Sequence, residues 1–87
     1  MPLSCLVVEH DPLLREILLY MLESQGYIAA GVETTSRAFD VLHGVRVDAM
    51  FIGLTQCEHE GMETINTAKR LQPGLKVLVA SGSVQWA

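Results

Sequence analysis

Side chains able to bind a metal, move a proton or act as a nucleophile gather at two points of this 87-residue sequence. Glu9, His10 and Asp11 follow one another near the start, and Cys57, Glu58 and His59 follow one another further on. Carboxylates are hard oxygen donors that suit magnesium, whereas a mixture of imidazole, thiolate and carboxylate suits zinc. One reading of the two clusters is a zinc site drawn from His10, Cys57 and His59, with Glu9 and Glu58 beside it. The plainer reading is two solvated loops whose histidines are unrelated. Other chemistry finds little support. The sequence has no G-x-G-x-x-G, no P-loop, no G-x-S-x-G and no H-E-x-x-H, so no enzyme activity is expected. Ser81-Gly82 reads as a turn at a strand end. His43, next to Gly44, reads as a partner for the negative end of a helix rather than a catalyst.

Hydrophobic residues make up 49% of the chain and charged residues 18%, a balance that folds rather than stays disordered. Ten acidic against six basic residues give a net charge of −4, and the basic ones are scattered, which argues against direct nucleic-acid binding. No apolar run approaches the roughly 20 residues that cross a bilayer, and the start lacks a basic n-region, so a cytoplasmic location is expected and no membrane association. Cys5 and Cys57 belong to no C-x-x-C pair, which suits a reducing compartment. Residues 1–87 read as one domain without repeats or linkers.

These clusters need elements to place them. Leu6-Val7-Val8 predicts a buried strand over residues 4–8. Asp11-Pro12 predicts a helix start, since the aspartate accepts from free amides and proline has no amide to waste. That helix runs from Pro12 to Gln25 and ends at Gly26. It is over-apolar: Leu13, Leu14, Ile17, Leu18, Leu19, Tyr20, Met21 and Leu22 leave Arg15, Glu16 and Glu23 only a narrow polar strip. Tyr27–Ala30 predicts a second strand, and a helix under a threonine cap follows through Ala38, Phe39, Val41 and Leu42 to His43-Gly44. Val47–Ile52 has the continuous apolar character of a central parallel strand. Leu54–Glu60 is expected as a loop, and Gly61–Leu71 as a third helix with Met62, Ile65, Ala68 and Leu71 inward. Pro73-Gly74 breaks it before a fourth strand over Lys76–Ala80. The order βαβαβαβ predicts a parallel α/β sheet with right-handed crossovers.

From Leu6 to Gly82 the sequence resembles the receiver domain of two-component response regulators. The resemblance rests on Leu-Val-Val-Glu-His-Asp-Pro-Leu-Leu-Arg at residues 6–15, Gln-Gly-Tyr at 25–27, Asp48, Gly61-Met62-Glu63, and Val-Leu-Val-Ala-Ser-Gly at 77–82. It implies a flavodoxin-like sheet of order 2-1-3-4, with the family's fifth strand and last two helices missing from these 87 residues. In that family, acidic residues at the ends of strands one and three hold magnesium and present an aspartate that takes a phosphoryl group from a histidine kinase.

Position by position, the resemblance implies that this chemistry is lost. The phosphoacceptor falls on Gly53, which offers no nucleophile. The acidic pair becomes Glu9 and His10, so with the carbonyl of Thr55 as the only other expected ligand, magnesium binding should be weak or absent and no cofactor is expected. Ser81 matches the family's switch hydroxyl. The family's lysine on strand five has no counterpart, and Cys57 replaces a frequent proline. The expected function is therefore a receiver-like interaction module that accepts no phosphate and pairs with a histidine kinase, a phosphotransfer protein, another receiver or itself. An open strand four and the over-apolar first helix point to a homodimer, through Leu14, Leu18, Leu19, Tyr20 and Leu22 or through strand-four pairing at Val77 and Val79. The alternative is a fragment of a longer response regulator, in which Trp86 begins a fourth helix.

Overall fold

The computed structural model describes the backbone of residues 2–81 and 83–86, and side chains at 2–53 and 62–79. Four strands, β1 (Ser4–Val8), β2 (Ile28–Val32), β3 (Ala49–Ile52) and β4 (Lys76–Ser81), alternate with three helices, α1 (Pro12–Ser24), α2 (Thr35–Gly44) and α3 (Leu54–Leu71). A further strand, β5 (Ser83–Trp86), follows. The sheet order is β2-β1-β3-β4-β5, parallel throughout its first four strands. β1 is central, with Leu6 level with Ala30 on one side and Met50 on the other.

The sheet divides two helical layers. Leu6, Val8, Met50, Ile52, Val77 and Val79 face α2 and α3, where they meet Ala38, Leu42, Ile65 and Ala68 in the main core. Alternation sends Cys5 and Val7 to the opposite face, under α1, which packs on β1 and β2. Arg15 and Leu19 lie against Gly31 of β2: a Cβ there would come within 2.9 Å of the Arg15 stem and 3.1 Å of Leu19. Glycine thus lets α1 sit close to β2.

Both expected helix starts are present. The Asp11 carboxylate accepts from the amides of Leu13 (2.9 Å) and Leu14 (3.4 Å), and the Thr34 hydroxyl accepts from that of Arg37 (3.2 Å). Several expectations are corrected. Residues 54–60 are helix, not loop: α3 begins directly after Gly53. Its inward side is Thr64, Ile65 and Ala68, with Leu71 packed against the core as expected, while Met62 is exposed. Strand four is not an open edge, because β5 pairs antiparallel along it, Leu78 opposite Trp86 and Ala80 opposite Val84. Trp86 therefore lies in a strand. Val77 and Val79 are buried in the core and offer no contact surface. β3 also starts later than expected, at Ala49, because the Asp48 amide is taken by Ser4, through the carbonyl (3.0 Å) and the hydroxyl (3.1 Å).

Two side chains tie the far end of the sheet. Gln72, just after α3, donates through Nε2 to the carbonyls of Leu42 (2.9 Å) and Val45 (2.7 Å) and accepts from the Val47 amide (2.9 Å). Asp48 accepts from the Ser4 amide at 2.8 Å, and this bond, helped by the Ser4 hydroxyl and Arg46, holds its carboxyl below the usual carboxylate range. The Arg46 pair, at 3.8 Å with a guanidinium 90% exposed, adds little. Gln72→Ala removes three bonds and leaves partly buried groups short of partners, so it should lower stability by about 1–3 kcal/mol in denaturant unfolding. A carboxyl depressed by folding stabilises above its unfolded pKa and loses that contribution as pH falls through its folded one. Asp48→Asn should accordingly flatten the loss of stability between neutral and strongly acid pH, read as thermal midpoint against pH.

Candidate functional site

Glu9 and Gly53 lie at the edge of the sheet where the parallel strands end. β1 delivers Glu9 there and β3 delivers Gly53. Backbone bonds hold both in place: the Gly53 amide donates to the Val8 carbonyl of β1 at 2.8 Å, and the Glu9 amide donates to the Val32 carbonyl of β2 at 3.0 Å.

Glu9 is buried, only 4% exposed, although it is a carboxylate at a strand end. One of its oxygens accepts from the Asp11 amide at 2.9 Å, and Arg15 donates from Nη1 to its backbone carbonyl at 2.9 Å. The other oxygen, Oε1, lies where a side chain at residue 53 would begin, since a Cβ on Gly53 would overlap it. Gly53 is also the N-cap of α3 and supplies no capping side chain. The Glu9 carboxylate therefore stands at the positive end of an 18-residue helix, where a negative charge is favoured.

His10, next along, is exposed. Among the described residues no group of three or more histidine, cysteine or acidic side chains is placed to hold a metal. The side chains of Cys57, Glu58, His59 and Ser81 lie outside the described ones. Cys5 is buried beneath α1, and burial pushes its thiol pKa up, which keeps it protonated and unreactive.

The described residues do not fit a magnesium ion. Gly53 brings no oxygen from a side chain, and Glu9 is turned into the space beside it. Thr55, expected to offer a loop carbonyl, is the second residue of α3, so that carbonyl points along the helix toward its C-terminal end and away from the strand ends.

No family model matches the chain. The transcriptional regulatory protein GlrR of Escherichia coli K12 is 32% identical over 85 residues, which is 95% of this chain and 19% of GlrR. QseF of E. coli O157:H7 matches equally. Among solved structures, a CheY-like response regulator receiver domain from Methylobacillus flagellatus superposes with a TM-score of 0.85 at 24% identity, covering 94% of this chain and 71% of that one. The chain has the CheY-like receiver fold. A receiver protein from Pseudomonas putida gives a TM-score of 0.79 at 26% identity, over 93% of this chain and 69% of its own. A response regulator from Burkholderia pseudomallei, described with a phosphorylated aspartic acid and a calcium ion, gives 0.81 at 21%. The domain thus spans about a fifth of the length of the curated relatives it matches.

The geometry of this edge is only partly legible in the sequence. Gly53 and His10 are plain in the sequence. That Glu9 fills the space beside Gly53 is not, because its rotamer follows from the burial of that edge. The over-apolar α1 is plain too, yet its exposure is more complete than expected: no residue of the helix is fully buried. Leu18, Leu19 and Leu22 rest half-buried on the sheet, while Leu14 and Tyr20 face outward with Leu13, Ile17 and Met21. Among the described elements no second helix stands on this face, where Ala49, Phe51 and Leu78 remain half-exposed. No helix among the described residues is long and apolar enough to cross a membrane.

Proposed function

We propose that this receiver domain acts in two-component signalling as a protein-interaction module that accepts no phosphoryl group, and that it works as a homodimer joined through α1. The observation that carries the first half is the Glu9–Gly53 contact. Phosphoryl transfer to a receiver needs a carboxylate oxygen in line with the phosphorus, and residue 53 has none, while the nearest carboxylate is buried and bonded to the Asp11 amide. Glu9 is also too enclosed to serve as a substitute nucleophile.

The second half is supported by the outer side of α1. Leu13, Ile17, Tyr20 and Met21 make a contiguous apolar surface, with Tyr20 75% exposed. A patch of this kind on a small domain marks a contact surface. A two-fold pairing of α1 covers it with an identical apolar surface. A helix of a histidine kinase, a phosphotransfer protein or another receiver is the competing occupant.

Incubation with labelled acetyl phosphate and magnesium, or with a labelled histidine kinase, should leave the chain unlabelled; stable incorporation would refute the first half. Sedimentation at micromolar concentration should give twice the 9.6 kDa of one chain, with Ile17→Glu returning it to one. A monomer in both samples would refute the dimer and leave a different partner as the occupant of α1.

A further inference from the structure

We infer that Glu9 is the resident anion of this site: its carboxylate has taken over the space beside Gly53 and anchors the start of α3 without metal or phosphate. The inference rests on the reading that residue 53 accepts no phosphoryl group, and adds what stands in that place.

Three observations converge on it. The carboxylate is buried at a strand end, where an unneeded glutamate would turn to solvent. It is held from two directions, by the Asp11 amide on its side chain and by the Val32 carbonyl and Arg15 on its backbone. Its Oε1 sits on the N-cap of α3, a helix whose own cap residue offers no acceptor side chain. A helix start left without a capping acceptor costs stability, and a carboxylate reaching it from another element supplies the missing charge. Glycine at 53 and glutamate at 9 are then one device. Any side chain at 53 has to expel the carboxylate, and removing the carboxylate leaves the glycine beside an empty space.

The consequence is a specific pattern of coupling. Gly53→Ala and Glu9→Ala should each remove the same interaction, so their effects should not add. Each single variant of the full chain should melt lower than the parent, by roughly 4–8 °C for each fivefold loss in folding equilibrium at this chain length. Glu9→Ala/Gly53→Ala should melt no lower than the weaker single variant, apart from a small residual loss where a Cβ at 53 meets the Val8 carbonyl at 3.2 Å. Glu9→Gln, which keeps the shape and drops the charge, should also melt below the parent.

Additive losses, a Gly53→Ala variant as stable as the parent, or a Glu9→Gln variant as stable as the parent would each overturn the inference. Should Gly53→Ala fail to fold, a folded double variant supports the coupling, and a double variant that fails while Glu9→Ala folds overturns it. Should Glu9→Ala fail, Glu9→Gln takes its place in the cycle. Labelling of the unaltered chain by acetyl phosphate would sink the phosphate-free reading whatever the cycle gives. Additivity in unlabelled protein would sink only the role of Glu9.

Discussion

The constraint on which the rest depends is that β1 is hydrogen-bonded along both edges and buried on both faces. Leu6 and Val8 belong to the α2–α3 core, Cys5 and Val7 lie beneath α1, and β2 and β3 pair on either side. A strand so enclosed cannot slip, because a shift of one residue would exchange its two faces. Its last backbone groups therefore sit at a fixed level relative to the ends of β2 and β3, and the Val8 carbonyl is in place to receive the Gly53 amide. The site at this edge is the point where one enclosed strand ends and α3 begins.

Local chemistry made much of this fold readable. Asp11-Pro12 and Thr34 announce two helix starts because capping depends on a few neighbouring atoms, and Leu6-Val7-Val8 announces a central strand because burial on both faces tolerates no polar residue. The misses have the opposite character. Thr55–Glu60 carries no apolar periodicity, and Gly61 looks like an opening residue, so the first turns of α3 give no sign of being helical. Gln72 reads as an ordinary polar residue after a helix, yet its amide joins two loops that are far apart in sequence. Ser83–Trp86 is too short to stand out as a strand and takes that form by pairing with β4. At the site, the glycine at residue 53 is visible in one letter, whereas the placement of the Glu9 carboxylate depends on a space that only the packed sheet creates.

The two sides of the sheet are unequal. α2 and α3 share a continuous core with the central strands, and Ala38, Leu42, Ile65 and Ala68 are sealed within it. α1 instead lies on one flank of the opposite side and contributes half-buried leucines. The contrast explains why the apolar excess of α1 is not a sign of a better internal core: most of that excess points outward.

The attachment of α1 has a consequence for motion. A helix without a fully buried residue is held by its Asp11 cap, the Arg15 bond to the Glu9 carbonyl and the shallow seating of Leu18, Leu19 and Leu22. Such an element opens at a lower free-energy cost than the sheet beneath it. In amide exchange, α1 would release its protons as a separate, early unit while β1 and β3 stay protected. Whatever covers its outer side would then slow that exchange, making the helix itself a reporter of occupancy.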